Sequence, residues 1–209
     1  MNPQQELNLV HFDDAMRQMG HQVIAGVDEA GRGPLAGPVV AAACILPEGR
    51  YVAGVNDSKQ LTPQQRRELY ARLTEDSEIV FGVGVVEAVI IDQINILQAT
   101  LRAMIAAVAL LRVKPDVLLI DGNHVPKTDI PMKAIVEGDS KSQSIAAASI
   151  IAKETRDKMM CDFDKMWPEY GFAQHKGYGT KMHLEALQKY GPCPIHRRSF
   201  DPVRRASAT

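Results

Sequence analysis

The sequence contains few cysteines, and none of them belongs to a paired motif. Cys44, Cys161 and Cys193 are odd in number and widely separated, and no Cys-x-x-Cys occurs. The spacing therefore indicates neither a disulfide framework nor a structural zinc site. Free cysteines are typical of a reducing compartment, so we expect a cytoplasmic protein.

Long apolar runs are also missing. One of the longest covers residues 39–46, and residues 1–20 contain acidic residues where a signal peptide would have an apolar segment. Neither stretch can span a bilayer, so we expect no contact with a membrane. With 209 residues, of which 45% are hydrophobic and 23% charged, the chain suits one well-buried domain or at most two small ones.

Net charge is almost absent, since 24 Lys and Arg face 25 Asp and Glu. Taken alone, this balance argues against a protein that neutralises many phosphates. Residues 175–209, however, hold seven basic and two acidic residues, and subtraction from the totals leaves 17 basic and 23 acidic residues in the rest. A basic end suggests a polyanionic partner, although charge alone favours a solvated, Lys-rich helix.

Hydrophobic periodicity predicts alternating strands and helices. Thr62 and Pro63 have the residue types that begin a helix. The long helix predicted for residues 90–111 lies between two strands, which predicts a right-handed crossover between parallel strands. The predicted strands cover residues 23–27, 39–46, 79–86, 116–120 and 134–136, and the predicted helices cover residues 64–73, 90–111, 145–167 and 180–189.

Acidic residues follow three of the predicted strands. Asp28 and Glu29 end the first, Asp121 ends the fourth, and Asp139 lies in the turn after the fifth. Strand ends of an open α/β sheet form the crevice where ligands bind, and neighbouring strands are about 4.8 Å apart. Four carboxylates gathered there would repel one another unless a cation were present. The pattern therefore predicts a metal site.

The absence of His or Cys among these ligands favours a hard ion, Mg²⁺ or Mn²⁺. One or two such ions suit the hydrolysis of a phosphodiester. Adjacent strand residues point to opposite faces, so Asp28 and Glu29 share a site only if the chain turns there, which Gly31 and Gly33 would permit.

Two other motifs come close to known patterns. Residues 31–36 fit a loose dinucleotide fingerprint, but Pro38 and a strand-like run follow where a helix is required, so we expect no nucleotide cofactor. Gly138-Asp-Ser140 resembles the nucleophile motif of Gly-Asp-Ser esterases, with a candidate partner in His124. The order of these residues is wrong for that family, which leaves serine hydrolysis as a poor alternative.

A longer motif decides between these possibilities. The segment Gly26-Val-Asp-Glu-Ala-Gly-Arg-Gly-Pro-Leu-Ala-Gly-Pro-Val39 resembles the signature of ribonuclease HII, the type 2 ribonuclease H family. Further motifs of the family follow in its order, so that the resemblance extends from about residue 22 to about residue 205. They are Asn56-Asp-Ser-Lys59, Ile120-Asp-Gly122, Gly138-Asp-Ser140, Ala146-Ala-Ala-Ser149, Ile151-Ala-Lys153 and Tyr170-Gly-Phe-Ala-Gln-His-Lys-Gly-Tyr178.

The resemblance implies an α/β fold of the ribonuclease H type, a mixed sheet flanked by helices with a C-terminal helical extension. It implies that Asp28, Glu29, Asp121 and Asp139 hold Mn²⁺ or Mg²⁺ and hydrolyse the RNA strand of an RNA–DNA hybrid. It also implies nicking on the 5′ side of a ribonucleotide embedded in duplex DNA, which leaves 3′-hydroxyl and 5′-phosphate ends. The competing class is a hybrid-binding protein without catalysis.

The same resemblance implies contacts with the substrate. Gly31, Arg32 and Gly33 would read the 2′-hydroxyl, and Tyr178 would pack at the junction of RNA and DNA. The implied phosphate contacts are Ser58, Lys59 and Lys176, with Arg197, Arg198 and Ser199 as weaker candidates.

We expect a monomer in which residues 22–209 form a single domain. Residues from about 168 to 209 would be a basic, helical region of that domain, and residues 1–21 would be an N-terminal extension outside the shared motifs. Within this extension, Gln4-Gln-Glu-Leu-Asn-Leu9 loosely resembles a peptide that binds a sliding clamp. So short a pattern is more often an ordinary amphipathic segment.

Overall fold

The computed structural model describes the backbone of residues 3–207 and the side chains of Leu9 and residues 12–207. Within this part of the chain, seven α-helices and five strands follow one another. The helices are α1 (Pro3–Gln18), α2 (Pro63–Glu75), α3 (Ala88–Ala109), α4 (Gln143–Met166), α5 (Phe172–His175), α6 (Lys181–Tyr190) and α7 (Asp201–Ala206). The strands are β1 (Ile24–Ala30), β2 (Val39–Ile45), β3 (Val80–Val86), β4 (Val117–Asp121) and β5 (Met132–Ile135).

The strands form one mixed sheet in the order β3-β2-β1-β4-β5. β1 pairs antiparallel with β2 and parallel with β4, and β4 pairs parallel with β5. Since β2 and β3 are also antiparallel, β3 and β4 run in the same direction, and α3 crosses between them. The predicted α/β class, a mixed sheet flanked by helices with further helices at the C-terminus, is confirmed.

Helices α3 and α4 cover the two faces of the sheet. On the α3 face, Gly84 allows the closest approach, because a Cβ atom there would lie 2.0 Å from the Ala103 carbonyl oxygen. On the α4 face, a Cβ atom at Gly26 would lie 2.1 Å from the Ser144 backbone. Small residues therefore bring both helices close to the sheet.

Helix α3 is long and apolar enough to cross a membrane by length and composition alone, with a mean hydropathy of 1.2. In the structure its small residues pack into the core against the sheet, among them Ala99, Ala103 and Ala107, which are fully buried. Its start is interrupted at Asn95, where φ is 67°. Of its apolar window 33% is buried, and Val89 and Ile105 of the same helix are exposed.

Two features of the N-terminal part were not predicted. The extension contains a helix, α1, and its Leu9 and Met16 are buried against the body of the protein. Strand β1 continues to Ala30, three residues beyond its predicted end, because Asp28, Glu29 and Ala30 still pair with β2. The single-domain boundaries themselves stay a prediction.

The segment from residue 31 to 38, here called the glycine loop, joins β1 to β2. Backbone hydrogen bonds tie it to the C-terminal region: Leu35 N–H donates to the Gly177 carbonyl at 2.8 Å, and Gly37 N–H donates to the Ile195 carbonyl at 2.9 Å. Ala36 also forms an isolated bridge with His196. The connections between the C-terminal helices therefore lie beside the glycine loop.

Candidate active site

Three carboxylates converge at the ends of β1 and β4. Asp28, Asp121 and Asp139 each offer an oxygen atom, and the three oxygens lie within 4.8 Å of one another. We call these residues the acid cluster. Asp28 and Asp139 are each 4% exposed, whereas Asp121 is half-buried at the mouth of the site. The cluster is thus a buried group of negative charges open on one side.

The register of the sheet explains why Asp28 and Asp121 meet. Val27 pairs with Ile120 in the parallel ladder, so the next residues, Asp28 and Asp121, are also neighbours. Residues at matching positions of adjacent strands point to the same face, which here is the face covered by α4. The Asp121 carboxylate is fixed by the Gly138 N–H, which donates to it at 2.7 Å.

Asp139 reaches the cluster from a different element. It lies in the 3₁₀ turn Gly138–Ser140, directly before α4, and a left-handed residue, Glu137, leads the chain into this turn. Its carboxylate accepts a hydrogen bond from Lys59 Nζ at 3.2 Å. Although partial burial lowers the pKa of Lys59, the charges of Asp139 and Asp57 raise it overall. Lys59 therefore stays protonated beside the acids.

Burial and mutual repulsion disturb the protonation of the acids. The pKa of Asp28 is raised well above its usual value, first by burial and then by the charges of Glu29 and Asp121. Burial raises the pKa of Asp139 as well, against the opposing effect of Lys59. The single positive charge of Lys59 does not balance three carboxylates. A bound cation would relieve the remaining repulsion among them.

The donor set of the acid cluster fits a divalent metal ion. All its ligands are carboxylate oxygens, and they come from three separate backbone segments held by the sheet and by α4. Hard divalent ions prefer oxygen ligands and usually keep waters of their own. The spacing of the three oxygens matches a single coordination sphere, so the site is a divalent-metal site.

Glu29 lies outside this cluster, and the chain does not turn between Asp28 and Glu29. Because β1 continues through Glu29, its side chain points to the α3 face, opposite Asp28. It forms an ion pair with Arg32 at 3.4 Å and lines a small cavity together with Asp121 and His124. Burial and the charge of Asp121 raise its pKa, while Arg32 lowers it. Glu29 therefore approaches Asp121 from the other side.

The glycine loop and Tyr178 lie beside each other near the acids. Gly31 has a φ of +95°, a conformation that favours glycine, and a Cβ atom at Gly33 would lie 3.7 Å from the Tyr178 ring. Tyr178 is 46% exposed. Its backbone is fixed by His183, whose Nδ1 is 2.9 Å from the Tyr178 carbonyl. The structure thus brings the predicted sugar-reading residues together.

The predicted phosphate contacts have different environments. Ser58 is buried, and its hydroxyl is 2.9 Å from the Ser149 hydroxyl, so that any phosphate contact is left to its backbone. Lys59 is exposed beside Asp139. Lys176 is half-buried and its Nζ points to Cys161 Sγ at 3.3 Å and to the Ala173 carbonyl. Of the three, Lys59 is the one with an exposed ammonium group, which is paired with Asp139.

The prediction that Arg197 binds phosphate is wrong. Its side chain is fully buried and donates hydrogen bonds to the carbonyls of the glycine loop. Ser199 donates both its N–H and its hydroxyl to Asp92, and Arg198 donates its N–H to the same carboxylate. The Arg198 side chain is exposed, so it remains a candidate. Both arginines lie in the basic C-terminal segment of the sequence, and this location does not show which of them is buried.

Several residues of the site were not predicted for the roles that the structure gives them. Ser149 hydrogen-bonds Asp28 and lowers its pKa, and it links Asp28 to Ser58. Asp13 of α1 accepts hydrogen bonds from Ser142 and Ser144 at the start of α4, next to Asp139. Ser149 lies in a motif quoted for the resemblance, whereas nothing in the local sequence of Asp13 signals its contact with α4.

Comparison with known proteins agrees with this geometry. The family model for ribonuclease HII matches residues 25–203. The chain belongs to the ribonuclease HII family. A ribonuclease HII from Chlamydia pneumoniae is 53% identical over 205 residues, which cover 98% of this chain and 95% of the relative. The family consists of hydrolases, so the chain is an endoribonuclease that acts on RNA–DNA hybrids, and the serine-esterase alternative is ruled out.

Solved structures of the family have the same fold. The crystal structure of ribonuclease H2 from Pyrococcus horikoshii OT3 matches with a TM-score of 0.74 and 31% identity, covering 89% of this chain and 97% of that one. The ribonuclease HII in a complex with PCNA from Archaeoglobus fulgidus matches with a TM-score of 0.71 and 25% identity, covering 86% and 95%. The ribonuclease HII fold therefore extends over most of the described residues.

Proposed function

We propose that this endoribonuclease nicks duplex DNA on the 5′ side of a single embedded ribonucleotide, as well as RNA–DNA hybrids, and leaves 3′-hydroxyl and 5′-phosphate ends. Asp28, Glu29, Asp121 and Asp139 are its catalytic residues. The observation that carries the proposal is the acid cluster, three buried carboxylates within 4.8 Å of one another at the strand ends. A non-catalytic binding protein would have no need for so costly a group of charges.

The metal is Mg²⁺ or Mn²⁺, bound as one or two ions. Asp28, Asp121 and Asp139 would hold an ion, with Glu29 as a further ligand. An ion held there would supply the activation of the attacking water and the stabilisation of the leaving oxygen. The protein's own part is to hold these carboxylates in place: the Gly138 N–H donates to Asp121, and Ser149 hydrogen-bonds Asp28.

Substrate selection depends on the glycine loop and Tyr178. Gly31, Arg32 and Gly33 approach the ribose closely through their backbone and read its 2′-hydroxyl, the group that separates RNA from DNA. The half-exposed ring of Tyr178, next to Gly33, stacks at the junction of RNA and DNA. Lys59, with Ser58, Lys176 and Arg198, contacts phosphates, which position the duplex without reading its sequence.

We infer that the enzyme works in the cytoplasm as a monomer. All proposed catalytic and substrate-binding residues belong to one chain, so the site needs no second copy. The free Cys44, Cys161 and Cys193 support a reducing compartment.

A sliding clamp is a further partner in this proposal, supported by the PCNA complex of the Archaeoglobus fulgidus enzyme. The side chains of Gln4 to Asn8 lie outside the described residues, and Leu9 is buried against the body of the protein. A clamp that binds residues 4–9 would therefore have to release Leu9. Cross-linking of a clamp to residues 4–8 of the intact enzyme would support this contact, and cross-links confined to the rest of the surface would contradict it.

The products of the reaction test the proposed cleavage site. A duplex with one ribonucleotide, labelled at either end of that strand, is incubated with the enzyme and Mg²⁺ or Mn²⁺. We expect one nick on the 5′ side of the ribonucleotide, with a 3′-hydroxyl that a DNA polymerase extends. A nick on the 3′ side, or an end that cannot be extended, would contradict the proposal.

A further inference from the structure

Two buried arginines donate hydrogen bonds to the backbone carbonyls of the glycine loop. Arg156 of α4 is 1% exposed and Arg197 is 0% exposed. Their guanidinium groups donate six hydrogen bonds to backbone carbonyls, five of which belong to the loop. Arg156 donates to Pro38 (2.9 Å), Ala36 (3.1 Å) and Lys176 (3.0 Å), and Arg197 donates to Gly37 (3.0 Å), Arg32 (2.9 Å) and Gly31.

This arrangement buries positive charge without a carboxylate in hydrogen-bond contact. Burial lowers the pKa of Arg156 to about 10, and burial together with repulsion by Arg156 lowers the pKa of Arg197 to about 9. Asp92, the acid that faces Arg197, is already bonded to Arg198 and Ser199. A buried cation is costly unless its donors are satisfied, so the carbonyls of the loop are what keeps both guanidiniums stable.

The contacts also fix which way the loop's amide groups point. In a trans peptide the C=O and the N–H of the same unit point in opposite directions, and the described residues contain no cis peptide bond. The carbonyls of Gly31 and Arg32 point to Arg197, so the N–H groups of Arg32 and Gly33 point away from it. A Cβ atom at Gly33 would lie 3.7 Å from the Tyr178 ring, so this part of the loop is next to Tyr178.

The close fit of Arg156 explains the residue type at position 31. A Cβ atom at Gly31 would lie 2.0 Å from Arg156 Nε, and the φ of +95° would be strained for any other residue. The loop and the two arginines are therefore built as one unit.

We propose that Arg156 and Arg197 are positioning residues that determine the preference for ribose, because they aim the N–H groups of Arg32 and Gly33 at the 2′-hydroxyl of the substrate. They touch no substrate themselves. This inference rests on the proposed function, in which the glycine loop reads the sugar. It assigns the specificity to the carbonyl contacts of two buried cations and not to the exposed side chain of Arg32.

The test compares Arg197→Met with Arg197→Lys and with Leu73→Ala. Leu73 is fully buried between α2 and the core, so its truncation lowers stability without contact to the loop. Binding is measured in EDTA with two duplexes that differ in one position, a ribonucleotide or its 2′-fluoro analogue. Fluorine is a poor acceptor, so the ratio of the two Kd values reports the hydrogen bonds to the 2′-oxygen.

We expect Arg197→Met to reduce the preference for the 2′-hydroxyl by about tenfold, the loss of about one hydrogen bond, with Arg197→Lys in between. Leu73→Ala should leave the ratio unchanged, because general destabilisation affects both duplexes alike. Hydrogen exchange provides a readout without substrate: Arg197→Met should accelerate exchange within residues 31–38, and Leu73→Ala should not.

An unchanged Kd ratio for Arg197→Met, or unchanged exchange in the loop, would overturn the inference. A loss of preference in Leu73→Ala as large as in Arg197→Met would do the same. Failure of the wild-type enzyme to nick a ribonucleotide would instead refute the proposed function. The exchange measurement would then still decide whether Arg197 orders the loop.

Discussion

Asp28 and Asp121 point to the same face of the sheet because they occupy matching positions in a parallel ladder. The sequence shows that both follow apolar runs, which was enough to predict that they meet. The direction of the Glu29 side chain was not predictable, because the pairing with β2, and hence the end of β1, depends on contacts that are distant in sequence. The burial of Arg197 was not predictable for a similar reason, since it depends on the fold of the glycine loop.

The titration of Asp28 predicts how metal ions affect stability. A carboxyl whose pKa is raised on folding binds more protons in the folded state, so the metal-free protein loses stability as the pH rises through the folded pKa. A bound divalent ion stabilises the ionised form. We expect the difference in Tm between Mn²⁺ and EDTA to increase from about pH 5 to about pH 8. A difference that stays constant or shrinks, with NaCl as the control for ionic strength, would contradict this.

The proposed stacking of Tyr178 leads to a prediction about substrate preference. Loss of one stacking ring costs about 1–3 kcal/mol per base, so Tyr178→Ala should lower kcat/KM on a single-ribonucleotide duplex about tenfold or more. The loss on a long RNA–DNA hybrid should be smaller, because the junction is then one site among many. Tyr190→Ala, which removes another exposed ring of the C-terminal region, is the control. Equal losses on both substrates would argue against a junction-reading role.

At the scale of elements, α1 is attached to the active site through α4. Asp13 of α1 accepts hydrogen bonds from the Ser144 N–H at 2.9 Å and the Ser144 hydroxyl at 2.7 Å, and from the Ser142 hydroxyl. These groups begin α4 directly after Asp139. Helices α2, α3, α4 and α6 were predicted from apolar periodicity or capping residues. Helix α1 was not, because its stability comes from this tertiary contact.

From the hydrogen bonds of Asp13 we predict that the N-terminal helix contributes to stability. Asp13→Ala leaves buried donors of Ser142 and Ser144 without an acceptor, at a cost of about 1–3 kcal/mol in the free energy of unfolding. Urea denaturation should show this loss, whereas Asp14→Ala, which removes an ion pair with Arg17 at a more exposed position, should cost far less. Equal stability of Asp13→Ala and wild type would mean that α1 is a dispensable extension.

At the scale of the whole molecule, the basic C-terminal region is more than a surface for a polyanion. Arg197 is buried, and Arg204 and Arg205 form ion pairs with Asp201. Lys181 also lies near Glu185. The charge count along the sequence suggested a polyanionic partner but taken alone favoured a solvated helix, and the family motifs decided between the two. The charge count overestimated how many of these charges face the substrate, because pairing and burial are properties of the fold.

The central claim is that the acid cluster cleaves nucleic acid beside a ribonucleotide. The most direct measurement is nicking of a duplex that holds one ribonucleotide, with Mg²⁺ or Mn²⁺, by the wild type and by Asp121→Asn. We predict that the wild type nicks this duplex and that EDTA stops it. Asp121→Asn should be inactive but equally stable in EDTA, because the amide keeps the Gly138 contact and relieves repulsion with Asp28. Near-normal turnover by Asp121→Asn, or nicking by the wild type that persists in EDTA, would contradict the account.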